Sequence, residues 1–182
     1  MKVRKAALAA VVAVCFSIAG CNAYQTAQRA HDVVAAVVAV AQADLPSLEQ
    51  TGIFSSADGA AVTSYLNLAT NLDGQYQTCI NTANSGTSLT KKGKFLGCLD
   101  TFATGLSNPQ ELAQLRVMSP KAQQEVQLWV TAASVGVSSV IAALGGQPIP
   151  TSSLSEVLPS PAPSIMAAQL AFNRRVEAAA GL

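Results

Sequence analysis

The sequence predicts an all-α protein, a bundle of four to five helices with an up-down core, one intramolecular disulfide and a Pro-rich connector before the last helix. Three observations carry that expectation. Apolar residues recur every three or four positions over long stretches, as on one face of a helix. Helix-start chemistry (Ser55, Asn108-Pro109, Ser119-Pro120) precedes three such stretches. The 182 residues are 50% hydrophobic but only 5% aromatic and 12% charged, so the apolar content is mostly Ala and Val, which suit closely approached helices. That balance excludes a disordered charged chain.

The first helix is expected from Asn22 to about Asp44, where Val33, Val34, Val37, Val38 and Ala41 form a stripe, and Pro46 and Gly52 mark its exit. Ser55-Ser56-Ala57-Asp58 reads as a capping box. After it, Val62, Tyr65, Ala69, Leu72, Tyr76, Cys79 and Ala83 alternate at three and four residues, the seam of a helix packed on another helix. That seam places Cys79 toward the interior. Tyr65 and Tyr76 on it read as core packing in preference to a sugar-stacking platform.

Asn84 to Ser88 is turn chemistry. A helix is expected next, from about Leu89 to Leu106, with Phe95, Leu99, Phe102 and Leu106 on one face and Cys98 beside it. Together the two helices form an αα-hairpin that Cys79 and Cys98 could staple. Gly93 and Gly97 are spaced for close helix approach, although Lys91, Lys92 and Lys94 argue against a membrane dimer motif. Asn108-Pro109 opens a short helix and Ser119-Pro120 a longer one. The longer one carries Val126, Trp129, Ala133, Val137, Val140 and Leu144 on one side and Thr131, Ser134 and Ser138 on the other, and Gly145-Gly146 stops it. From Leu128 to Gly146 it has no charge, barely the length of a bilayer span. The segregated hydroxyls favour an amphipathic bundle helix.

Residues 147–163 hold Pro148, Pro150, Pro159, Pro161 and Pro163 among serines, an extended connector. Residues 164–182 carry a closing helix that packs on the bundle through Ile165, Met166, Leu170 and Val176, with Arg174 and Arg175 suiting its C-terminal dipole.

The amino end has a different logic. Lys2, Arg4 and Lys5 precede an uncharged stretch from Ala6 to Gly20, the basic and apolar regions of a secretory signal. Fifteen helical residues reach ~22 Å, short of the ~30 Å hydrocarbon core. The stretch ends Ser17-Ile18-Ala19-Gly20-Cys21, which resembles the lipobox of bacterial lipoproteins, Ile18 standing where Leu is commonest. The resemblance covers residues 1–21 alone. It implies removal of residues 1–20 as signal peptide, diacylglycerol on the Cys21 thiol and added acyl chains such as palmitate; the helical periodicity then places the bundle in residues 21–146. Asn22, in place of the Asp that favours inner-membrane retention, implies an outer-membrane site facing the periplasm. A plain secretory signal cleaved after Ala23 would instead discard Cys21.

Processing leaves two cysteines without a task. Cys15 departs with the signal and Cys21 carries lipid, so Cys79 and Cys98 form an even pair in an oxidising compartment, expected to be a disulfide. A free catalytic thiol would want a cationic neighbour, and the single His, His31, is distant in sequence. Removal of the signal takes three of the 11 basic residues, leaving eight against ten acidic ones. No nucleic-acid partner is indicated.

Catalytic equipment is sparse. His31-Asp32 invites a metal or acid–base site, yet zinc needs three or four convergent ligands, and a rim histidine is the plainer reading. No G-x-S-x-G elbow, phosphate loop or C-x-x-C-H occurs. The carboxylates are dispersed, with no two at i, i+3 or i, i+4. Lys91, Lys92 and Lys94, the sole charge run, read as a solvated helix start, with contact to anionic lipid as the rival. The expectation is therefore a lipid-anchored, non-enzymatic envelope protein without cofactor or metal, a scaffold or interaction module for another envelope protein. Two alternatives stand beside it: a membrane-perturbing, prophage lysis-associated lipoprotein inserting the 128–146 helix, and a small-ligand binder with a cavity between Ala-rich helices.

Overall fold

The computed structural model describes residues 23–85, 91–115, 118–147 and 165–181. The signal peptide, Cys21, Asn22, the latter part of the expected turn after Ser85 and the connector from Pro148 onward lie outside the described residues. Within them the protein is all-helical: α1 (Ala23–Gln50), α2 (Ser56–Ser85), α3 (Lys91–Leu106), α4 (Pro109–Leu115), α5 (Pro120–Ala143) and α6 (Ile165–Ala180). These are five long helices and one of seven residues, the all-α bundle that the periodicity predicts.

Helix α1 is the hub, since α2, α3, α5 and α6 all pack on it. Its composition explains this. Ala27, Ala30, Val34, Val37 and Ala41 line one face, while Ala36 and Val40 are buried on another. A helix with neighbours on several sides needs small side chains all round, because interaxial distance is set by the residues between the axes. Residue pairings give the directions. Tyr24 meets Asn81, Gln28 meets Gln77 and His31 meets Asp73, so α2 runs antiparallel to α1. Ser119 reaches the Ile53 carbonyl, which makes α5 antiparallel to α1 as well. The stack of Tyr76 on Phe102 and the Cys79–Cys98 bond return α3 along α2.

The ends follow their local chemistry. Ser55 and Asp58 form the expected reciprocal box: Asp58 N–H donates to Ser55 Oγ (3.1 Å), and Ser55 N–H and Oγ–H both donate to Asp58 Oδ2 (2.9 and 2.8 Å). Asn108 Oδ1 accepts from Gln110 N–H (2.9 Å), and Ser119 Oγ accepts from Ala122 N–H (3.2 Å). Helix α5 ends in a Schellman turn, with Gly145 at φ 73° and Gly146 N–H donating to Ile141 O.

Five expectations need correction. Helix α1 does not stop near Asp44 but passes through Pro46 to Gln50. The ring forfeits one backbone donor near the end, while Leu45 and Leu48 pack against the core on either side. Termination comes at Gly52 (φ 71°), where Ile53 N–H donates to Leu48 O across a second Schellman turn. The core seam of α2 is Val62, Leu66, Ala69, Asp73, Tyr76, Ile80 and Ala83, not the register through Tyr65, Leu72 and Cys79. Those three lie one position off, and Cys79 is exposed. Gly93 and Gly97 serve no close approach, since a Cβ at either would meet nothing within 4 Å. In α6 the buried residues are Phe172 and Val176, while Leu170 is 38% exposed; the side chains of Ile165 and Met166 lie outside the described residues. Arg175 does not simply face its own helix end; it forms a two-pronged pair with Asp44 of α1 (2.8 and 2.5 Å).

Helix α5 is long and apolar enough to cross a membrane by length and composition, and just over half of its most apolar stretch is buried inside the bundle. Its polar side is narrower than its sequence implies. Thr131 is exposed, but Ser134 and Ser138 are half-buried, and Gln127, Leu128, Val130 and Ile141 are buried besides the expected Val126, Trp129, Val137, Val140 and Leu144. Contacts to α1, α3 and α6 surround it. The expected αα-hairpin holds: Phe95, Leu99, Phe102 and Leu106 form the buried face of α3, with Cys98 and Ala103.

Candidate functional site

Among the described residues, a concentration of titratable and amide side chains at the interface of α1 and α2 follows from the α2 register. Position 73 belongs to the seam, so an aspartate is drawn into the interface with α1 and is 9% exposed. A buried carboxylate is costly unless paired. The facing residue on α1 is His31, whose Nδ1 lies 2.7 Å from Asp73 Oδ2. One turn toward the amino end of α1, Gln28 Nε2 donates to Gln77 Oε1 (3.2 Å), and Tyr76 Oη donates to the Ala27 carbonyl (2.6 Å). Asp73 Oδ1, Gln28 Oε1 and Gln77 Nε2 are buried without a hydrogen-bond partner.

The electrostatics follow from this placement. Burial pushes the Asp73 carboxyl above the usual carboxylate range; His31 opposes the shift by its charge and its hydrogen bond, and Asp32 adds to it. Burial likewise raises Asp32, against His31 and then Arg29. The Tyr76 phenol is pushed up by burial, then by the nearby Asp73 and Asp32. The cluster can hold a proton between two helices. Among the described residues the hydrogen bond of the His31 side chain is to Asp73. Among them, too, no three His, Cys, Asp or Glu side chains converge to hold a metal ion.

Sequence reasoning singled out His31 with its neighbour Asp32 and overlooked Asp73. The signal was present: a polar residue at a heptad core position, facing a polar residue on the partner helix. Of the expected site residues, Cys79 and Cys98 are joined, with Cα atoms 5.9 Å apart. The bond crosses from the exposed side of α2 to the buried side of α3. Cys21 lies outside the described residues. Tyr65 is half-buried, donates to the Leu106 carbonyl (2.9 Å), and its phenol is pushed up by burial. Lys91 Nζ donates to the Asn84 carbonyl at the end of α2 (2.6 Å), whereas Lys92 and Lys94 are exposed.

An apolar cavity of about 20 Å³ lies in the core between α1, α2 and α5, lined by Val34, Val62, Leu66, Leu115, Val126 and Trp129 among others. It has room for about one water molecule and no polar wall to hold it. Compared with known proteins, the chain matches no family model, no curated protein and no solved structure.

Proposed function

We propose that this chain is a lipid-anchored, non-enzymatic protein of the bacterial cell envelope, held at the outer membrane facing the periplasm through acylated Cys21 and acting as a scaffold or interaction module for another envelope protein. The observation that carries the reading is the Ile18-Ala19-Gly20-Cys21 sequence after a short apolar stretch, with a single residue, Asn22, between Cys21 and the start of α1. On this reading the acyl chains attach almost directly to the hub helix. Several acyl chains give stable anchoring where one does not. The Cys79–Cys98 bond supports an oxidising compartment.

The His31–Asp73 pair is an interhelical contact that joins α1 to α2. The apolar cavity of about 20 Å³ between α1, α2 and α5 is small beside the ~300 Å³ and more of small-molecule sites, so that cavity does not itself favour a ligand-binding bundle. The packing of α5 against α1, α3 and α6 weighs against a membrane-perturbing role, since insertion would first have to strip those contacts. A partner would meet the outer helical faces or the prolines of residues 147–163.

In-cell crosslinking of the native protein, compared with Cys21→Ser, tests the reading. Discrete adducts to an envelope protein that vanish in the variant are expected. Adducts identical in both, or a chain recovered wholly from the cytoplasm, contradict it.

A further inference from the structure

We infer that the end of the bundle next to Cys21 is a membrane-docking cap, in which Lys92 and Lys94 press against anionic phospholipid headgroups and set the bundle end-on to the bilayer. This rests on the anchoring reading above and adds an orientation to it.

The topology puts the lysines where the lipid would be. Tyr24, in the first turn of α1, bonds Asn81 near the end of α2 and lies 6.1 Å, centre to centre, from the Phe95 ring in the first turns of α3. Lys91 reaches back to Asn84. A Cβ on Gly145, just past α5, would touch Lys92 Nζ, and one on Gly146 would touch Leu96. The start of α1, the end of α2, the start of α3 and the end of α5 therefore form one end of the bundle, and Cys21 precedes α1 by two residues.

That end is electrostatically one-sided. Lys92 and Lys94 are exposed and form no ion pair among the described residues. The facing stretches carry no carboxylate: none in α1 before Asp32, none in α2 after Asp73, none in α5 after Glu125. On α3 the first is Asp100, six residues beyond Lys94. Asp44, Glu49, Asp58 and Glu125 lie toward the opposite end, among Lys121 and Arg175. Anionic membranes attract cations held within a Debye length of the surface, each strengthening binding by about fivefold. A chain tethered two residues from this cap would hold its lysines within that distance.

The test uses protein extracted from its own cells with its amino-terminal modification intact, mixed with vesicles of phosphatidylcholine alone and of equal parts phosphatidylcholine and phosphatidylglycerol. Acetylation of each lysine is read by mass spectrometry, with Lys121 as the reference at the far end. The proposal expects Lys92 and Lys94 to be protected severalfold on the anionic vesicles, the protection to vanish in high salt, and Lys121 to label alike on both. The double variant Lys92→Gln/Lys94→Gln, altering exposed residues only, should abolish any protection of the neighbouring Lys91 that depends on anionic lipid. Equal labelling of Lys92 and Lys94 on the two surfaces by protein that is acylated and vesicle-bound overturns the cap alone. Protein without acyl chains that floats with neither vesicle overturns the anchoring reading and the cap with it.

Discussion

His31 Nδ1 lies 2.7 Å from Asp73 Oδ2, joining α1 to α2 across 42 residues of chain. The pair resolves a conflict set by the seam. Position 73 must face α1 if Leu66 and Ile80 are to be buried, and His31 supplies the donor that its carboxylate needs. Replacing His31 with Ala leaves that carboxylate short of its one partner, and a loss of about 1–3 kcal/mol is expected, read by urea unfolding at neutral pH. Unchanged stability would mean that the pair contributes nothing net.

The same carboxylate sets a pH dependence of unusual sign. Asp73 and Asp32 are raised from 3.8, and Glu125 is raised from 4.5 by burial and then by Asp44. A raised acid binds more protons folded than unfolded, so its contribution is full below the ordinary value and fades as pH rises through the folded one. For these groups, lowering the pH through their raised folded-state values toward the ordinary carboxylate range therefore stabilises the bundle. Asp73→Asn should flatten that part of the profile, measured as unfolding midpoint against pH. A slope that steepens in the variant would contradict the assignment.

The Cys79–Cys98 bond closes a loop with a separation of 19 residues. Chain entropy puts its stabilisation at about 3 kcal/mol. Cys79→Ser/Cys98→Ala should lower the thermal midpoint by an amount that reduction of the native protein reproduces, with helical circular dichroism retained at low temperature. A variant as stable as the oxidised protein would show the bond to be incidental.

Two glycines should respond in opposite directions. A Cβ on Gly136 would run into Val33 Cγ1 of α1, whereas one on Gly97 would meet open space. Gly136→Ala is expected to destabilise by about 1–3 kcal/mol through overpacking, and Gly97→Ala to stabilise by up to about 1 kcal/mol through helix propensity. Denaturation of the two variants side by side checks both signs.

Docking of α6 is expected to depend on apolar burial more than on its ion pair. Phe172 is 5% exposed, while the Arg175 side chain in the pair with Asp44 is 51% exposed. Phe172→Ala should cost about 3 kcal/mol and speed amide exchange along α6, whereas Arg175→Ala should cost under about 1 kcal/mol. The reverse ranking would relocate the docking energy to the surface.

Much of this architecture is legible in the residues. The Ser55–Asp58 box, the Asn108 and Ser119 caps, the Gly145 stop and the buried face of α3 each rest on short-range chemistry that a reader can see. What escapes is decided by distant partners. Val62, Ala69, Tyr76 and Ala83 fit two seams one residue apart, and only α1 chooses between them: Leu66 and Ile80 go inside, and His31 makes Asp73 tolerable there. Pro46 looks like a terminator until Leu45 and Leu48 are seen packing on both sides of it. In α6, Leu170 and Phe172 compete for the interior in a short helix whose register is set by α1. The candidate site suffered most, because its essential residue, Asp73, acquires meaning only once α2 lies antiparallel to α1.

Anchoring is tested most directly at the amino terminus of the protein made by its own cells. Intact-mass and N-terminal peptide spectra of membrane-extracted material should begin at Cys21, carry diacylglycerol on its thiol with a further acyl chain, and report Cys79 and Cys98 oxidised to one another. A polypeptide that begins at Met1 with free thiols, or at Tyr24 without lipid, would contradict the account.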